Sequence, residues 1–267
     1  MPLPIQTAEF WNDTADQYVA SAEPFTAMFC EDAAELAQIE PGLTLLDVAT
    51  GPGALALAAA RRGARVTAID FSQAMVDRLA GRIGELPIVA RQMDGQALAL
   101  DDASFDRVCS VFGVPLFPDW RAGLAEIARV LRPGGLAVVA TADNGHGFGP
   151  NQFLAMAREE VTGVPAPVEM DAWAILADRD HFAKEMRTAG LDHIEIHERT
   201  HVFEVDMAVF TRDHPMILRN PMLAGLAEAD RDRTIALAIE RAAGLSHDGK
   251  ARLPGTGRIA TGAMPRV

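Results

Sequence analysis

Cysteine is nearly absent from this chain. Cys30 and Cys109 are the only two, and Cys109 lies inside an apolar run, where a free thiol behaves as a small buried hydrophobe. Reduced thiols and a cytoplasmic setting are the expectation. No apolar run approaches the length of a membrane span, so a soluble globular protein without membrane insertion is expected. Positive charge is also scarce: 24 Lys and Arg face 37 Asp and Glu, a formal net charge of −13. Nucleic-acid affinity rests on Lys and Arg contacts to phosphates, and no cationic block or basic amphipathic stretch offsets the deficit. Nucleic acid and anionic membrane surfaces are thereby excluded as partners, and small molecules are the expected ligands. Met1 to Phe10 holds no Lys or Arg and contains Pro2 and Pro4, which argues against a secretory signal or a transit peptide there. Repeats and low-complexity segments are missing too.

What is present is alternation. Glu9 to Leu36 reads as a helix in two pieces broken near Pro24, with Phe10, Trp11, Tyr18, Phe25 and Phe29 spaced for one or two faces. Pro41-Gly42 ends it. Strands follow at Thr44–Val48, Arg65–Ile69, Ile88–Gln92, Phe105–Val111 and Leu136–Thr141. Helices lie between them at Ala54–Arg62, at Gln73–Arg82 with Ser72 as N-cap, and at Arg121–Leu131, closed by the turn Arg132-Pro133-Gly134-Gly135. Strict strand–helix alternation predicts an α/β fold with a parallel sheet and right-handed crossovers. After Thr141 the rhythm changes. Helices are predicted at Asn151–Val161, Arg179–Ala189, Ala208–His214 and Asp230–Ala243, with strands at His193–Val205 and Arg258–Gly262. The domain organisation expected is an N-terminal helical segment (1–40), a ligand-binding core (41–145), a helical insertion or cap (146–180) and a C-terminal completion of the sheet (181–267).

The most informative stretch runs from Leu45 to Asp70. An apolar strand ending on Asp47-Val48 breaks into Ala49-Thr50-Gly51-Pro52-Gly53, resumes as an alanine-rich helix, and returns as a strand ending on Asp70. Glycine lets a ligand approach the backbone, and Asp70 at the neighbouring strand tip suits a pair of ribose hydroxyls. Asp94, with Gly95, ends the third strand and could accept from an adenine amino group. Asp70 could instead cap the following helix, and Asp94 could be a turn residue. Gly51-Pro52-Gly53-Ala54-Leu55-Ala56 also satisfies the permissive dinucleotide fingerprint, so the turn alone leaves two cofactor classes open.

Over about residues 40 to 142 the chain resembles the class I S-adenosylmethionine-dependent methyltransferases, within them the ubiquinone and menaquinone C-methyltransferase-like group. Asp47 to Gly53 is similar to the first motif of that family, with Ala49 where many members have Gly. Asp70 matches its second acid, Asp94-Gly95 its adenine-side acid, and Leu131 to Gly135 its pre-strand signature. Ser110 to Asp119 looks like its fourth-strand loop. The resemblance implies a Rossmann-like, doubly wound, mostly parallel seven-stranded sheet with an N-terminal helical lid and a helical insertion after the fifth strand. It implies S-adenosylmethionine as cofactor, S-adenosylhomocysteine as product, and a small-molecule methyl acceptor. The cofactor set expected is Tyr18, Asp47, Ala49, Gly51, Gly53, Asp70, Phe71, Met75, Asp94, Gly95, Ser110 and Val111, with Tyr18 on a lid helix; a plain packing role for Trp11 and Tyr18 is the alternative. The chemistry of the turn agrees, because an acid at Asp47 suits a cationic amino group or sulfonium and would repel a pyrophosphate. An NAD-dependent oxidoreductase is the rival reading, disfavoured by Asp47 and by the lack of a Tyr-x-x-x-Lys dyad. A non-catalytic protein that binds S-adenosylmethionine is the third.

The acceptor side is less legible. Methyl transfer needs alignment and water exclusion, and a general base only where the acceptor atom loses a proton. His146, in the loop after the fifth strand, is the candidate base; a solvated loop histidine is the alternative. His193, His197 and His201 have metal-like spacing only on a helix, and the surrounding β-branched residues predict a strand, so no metal site is expected. Phe112 to Phe117, Phe148, Phe153, Met156, Trp173 and Phe182 could wall an acceptor pocket or form the core of a cap.

Overall fold

The computed structural model describes residues 2–144, 148–164, 166, 170–208, 210–218 and 220–266. Two helices, α1 (Ala8–Ser21) and α2 (Glu23–Leu36), precede the sheet and part at Ala22. Strands β1 (Thr44–Val48), β2 (Arg65–Asp70), β3 (Ile88–Gln92) and β4 (Phe105–Val111) then alternate with α3 (Ala54–Arg61), α4 (Gln73–Ala80) and α5 (Trp120–Val130), which leads directly into β5 (Leu131–Ala142). The later elements are α6 (Pro150–Thr162), α7 (Asp171–Ala177), α8 (Arg179–Thr188), β6 (Asp192–Asp206), α9 (Pro215–Leu218), α10 (Glu228–Gly244), β7 (Ser246–His247) and β8 (Lys250–Ala263).

The sheet order is β3-β2-β1-β4-β5-β8-β6, with β7 paired to β8. From β3 to β5 all pairings are parallel. β8 runs antiparallel to β5, as the exchange of Gly134 N–H with Met264 O and Met264 N–H with Gly135 O at 2.9 and 2.8 Å shows. The order reverses direction at β1 and β4, which places the ligand crevice of an open α/β sheet beyond their carboxyl ends.

Local chemistry explains most of these elements. Five alanines and two leucines make α3 a strong helix former, and six of its eight residues are buried against the sheet. Ser72 caps α4 through Met75 N–H at 3.2 Å, as expected, and Asp119 caps α5 through Ala122 N–H at 3.0 Å.

The structure departs from the sequence reading at several places. β5 starts at Leu131 rather than Leu136, because the Pro-Gly-Gly segment is absorbed as an irregularity in the ladder, with Phe105 opposite Leu131 and Arg107 opposite Leu136; a proline without an amide is tolerated at such a bulge. β8 starts at Lys250 rather than Arg258, and Pro254, Gly255 and Gly257 lie inside the strand. No helix spans the described residues of 208–214, which are turn and bend; the helical turn comes later, at α9, where Pro215 suits a first position. An eighth strand, β7, joins the seven expected; it is two residues long and forms a hairpin with β8.

The chain divides into two compact units. The first comprises Met1–Thr141, Ile175–Arg199 and Gly257–Val267, and the second Ala142–Ala174 and Thr200–Thr256. In the first, Leu45, Leu55, Val66, Ala68, Leu79, Cys109 and Val138 form a dry core between α3, α4 and the sheet. The second is built on α6 and α10 around Phe153, Leu154, Phe210, Ile235 and Ala238. Among the described residues no helix is long and apolar enough to cross a membrane.

Candidate functional site

The turn after β1 takes its shape from backbone demands. Gly51 and Gly53 have φ of 54° and 95°, in the left-handed region that glycine occupies without strain, and a Cβ on Gly53 would collide with Leu79 of α4. Ala49 adopts φ 57° without being glycine. Beside this turn lies a small recess of about 30 Å³. Its lining includes Tyr18, Glu23, Asp47, Ala49, Gly51 and Val111.

Two buried carboxylates give the region its electrostatics. Asp47 is 1% exposed and accepts from Thr50 Oγ1 at 2.6 Å. Burial pushes its carboxyl up to about 7, against the pull of Thr50 and of the Ala56 amide, while the like charge of Asp70 adds to the rise. Asp70, 5% exposed, accepts from Gly51 N–H through Oδ2 and Ser72 N–H through Oδ1, each at 2.9 Å, and burial pushes it up to about 6. Asp70 therefore holds the glycine turn in place, and the cap of α4 is Ser72. Among the described residues no basic group contributes to the shift of either acid, which makes the site one that a cationic ligand would relieve.

Tyr18 also lines the recess. Its hydroxyl bonds Thr26 Oγ1 at 3.0 Å, its ring meets Trp11 edge to face at 5.7 Å, and burial raises its phenol above the ordinary value. Ala49, Gly51 and Val111 join it there. Gly53 caps α3, and Met75 is buried at the start of α4 while Phe71 is half-buried just before it. Ser110 is fully buried with its hydroxyl unpartnered, close under Gly113. Asp94 is exposed at the tip of β3 and accepts from both the backbone and the side-chain amide of Gln96 at 2.9 and 3.0 Å, so it holds its own turn. Gly95 is packed under Phe117 and Val48. His146 lies outside the described residues.

Among the acceptor-wall residues, Phe153 and Phe182 are fully buried core side chains, and Met156 is 47% exposed. The segment bearing His193, His197 and His201 is a strand, and no group of three or more potential metal ligands occurs among the described residues.

Sequence reasoning missed Glu23, Thr26, Cys30 and Thr50 in the recess lining, and Arg82 behind it, whose guanidinium donates to Pro52 O at 2.9 Å and to Glu23 at 2.5 Å. Arg82 had no signal at all. Glu23 could have been noticed as an acid at the start of a helix otherwise poor in charge on its inner face.

Residues 46–139 match the model of a methyltransferase domain family. The chain is 35% identical over 143 residues to a demethylmenaquinone methyltransferase of Corynebacterium efficiens, covering 51% of this chain and 60% of that one. It is 30% identical over 167 residues to the demethylmenaquinone methyltransferase of Corynebacterium urealyticum, covering 58% and 70%. Several other curated relatives are matched over less than half their length. Among solved structures, the [4+2]-cyclase SpnF aligns with a TM-score of 0.61 at 20% identity, over 100% of this chain and 97% of that one. A Haemonchus contortus phosphoethanolamine N-methyltransferase 2 aligns with a TM-score of 0.52 at 18% identity, over 94% of this chain and 53% of that one. These two likenesses are of fold. With a glycine turn flanked by buried acids on the sheet order described, and with relatives matched through that same core, the chain belongs to the class I S-adenosylmethionine-dependent methyltransferases, resembling the menaquinone methyltransferases among them.

Proposed function

We propose that the protein transfers a methyl group from S-adenosylmethionine to a small, apolar or aromatic acceptor, at carbon or oxygen, with nitrogen also open. The observation that carries this reading is Asp47: a carboxylate buried to 1% exposure beside a glycine turn and lining the recess there, with no basic group among the described residues acting on it. That environment favours the cationic amino-acid end of S-adenosylmethionine over a pyrophosphate. When bound, the cofactor supplies an activated methyl on a sulfonium.

The residues present fit that group. Asp70 uses one lone pair of each oxygen on Gly51 and Ser72, which leaves acceptor capacity for two ribose hydroxyls. Gly51 has open space where a side chain would stand, so a ligand can approach its backbone. Tyr18 and residues of α2 wall the recess. Phe25, Phe29 and Phe112 stack edge to face at 5.2 and 5.1 Å next to recess residues Thr26, Cys30 and Val111, an apolar neighbourhood that suits an aromatic acceptor. A quinone-like ring is the first to try, because the relatives at 30 and 35% identity are named for demethylmenaquinone. If the acceptor atom must lose a proton, His146 is the proposed base.

Calorimetric titration with S-adenosylhomocysteine and, separately, NADH tests the cofactor. Micromolar binding of the former and none of the latter is expected; the reverse sinks the reading. Transfer of a labelled methyl to a reduced naphthoquinone then tests the acceptor class.

A further inference from the structure

Asp47 is not the only acid in the recess. Glu23, at the start of α2, is 7% exposed and lines the same wall. Its Oε1 is held at 2.5 Å by Nη1 of Arg82, whose guanidinium also donates to Pro52 O at 2.9 Å. Its Oε2 accepts no hydrogen bond among the described residues and is not sealed in the interior.

The asymmetry of this ion pair is informative. The Arg82 side chain is 41% exposed, whereas that of Glu23 is 9% exposed. A pair whose only purpose is to tie α2 to the turn after α4 gains nothing by sinking its acid, since a desolvated carboxylate is costly. Here the cation stays at the surface and the acid is turned inward, toward the recess that Asp47 also lines. The two acids come from separate elements to line one recess, and both act on the buried thiol of Cys30, which together with burial keeps it protonated.

We propose that Glu23 is a ligand-binding residue: with Asp47 it receives the α-ammonium of the S-adenosylmethionine amino-acid end, and Arg82 fixes Glu23 and the glycine turn in register. This rests on the cofactor reading given above. It makes Glu23 a determinant of specificity for amine-bearing ligands, beyond the adenosine recognition that Asp70 would supply.

The test is a set of affinities measured on wild type and Glu23→Gln for three ligands sharing the adenosine and thioether. S-adenosylhomocysteine carries the amine and a carboxylate, its decarboxylated analogue carries the amine alone, and 5′-methylthioadenosine carries neither. Glu23→Gln should weaken the two amine-bearing ligands about tenfold or more, the scale of a lost charge-assisted hydrogen bond, and leave 5′-methylthioadenosine within about twofold. Retained binding of that third ligand also shows that the recess is folded. Equal loss for all three ligands, or no loss, overturns the proposal. Glu23→Asp, which keeps the charge but withdraws it by one methylene, should fall between the two in its preference for amines, and a preference equal to wild type also overturns it. If wild type binds none of the three, the cofactor reading itself has failed, an outcome distinct from either of these.

Discussion

Ala49 holds a left-handed backbone, φ 57°, at the point where β1 gives way to the cofactor turn, and its Cβ faces Gly113 so closely that a second Cβ there would overlap it. An L-residue in that region costs about 1–2 kcal/mol. Ala49→Gly removes the strain and loses part of the gain to the freer unfolded chain, so a net stabilisation of about 1 kcal/mol is expected, read as a higher denaturant midpoint at unchanged slope. An unchanged or lower midpoint would show that the surrounding loop has already absorbed the strain. The same position shows what single residues disclose in sequence. Asp47 and Asp70 were legible as buried acids at the ligand edge because each stands at or next to the end of an apolar strand, and strand tips face that edge of such a sheet. The burial of Glu23 was not, because burial of an acid on a helix depends on what the helix packs against. Asp94 was legible only as a choice between two roles, and its bonds to Gln96 show the turn role at work.

At the scale of elements, the strands and helices from β1 to α5 were readable to within two residues, since apolar strands and alanine-rich or capped helices announce themselves locally. What was not readable depends on partners distant in sequence: β8 carries Pro254 and two nearby glycines through a strand that pairing with its neighbours stabilises. The docking of α1 belongs to this class as well. Asn12, on its exposed face, accepts from Ser72 Oγ at 2.7 Å and from Ala74 N–H at 3.1 Å, so a side chain of one helix satisfies an orphan amide in the first turn of another. Asp16 reinforces it through Arg78. Asn12→Ala should cost about 1 kcal/mol of local stability. Amide exchange across α1 and at Ala74 is then expected to quicken by about fivefold while α10 is unaffected. Unaltered exchange in α1 would mean that the packing of Trp11 and Tyr18, not the cap, holds it in place.

For the whole molecule, the pH dependence of folding follows from two groups of acids shifted in opposite directions. Asp106, bonded by Thr44 and Arg132, is drawn down to about 2, so the stability it contributes is present above the unfolded value near 4 and is lost as pH falls toward 2. Asp47 and Asp70 behave inversely. Their folded values, about 7 and about 6, lie above the unfolded one, so the folded state keeps protons that the unfolded chain has released, and stability declines as pH rises from about 4 to 7. Self-repulsion at a net charge of −13 adds to that decline. Stability in the ligand-free protein should therefore peak near pH 4 and be lower by the order of a few kcal/mol at pH 7.5, as chemical denaturation at a series of pH values would measure. An ammonium brought beside Asp47 favours its ionised form, so binding of S-adenosylhomocysteine at pH 6.5 should expel a fraction of a proton. Titrations in buffers of different ionisation enthalpy would then give heats that vary linearly with that enthalpy, with the sign of proton release. Asp47→Asn should abolish most of this slope. A slope that persists in Asp47→Asn would move the proton to Asp70, and with it the site of the cation.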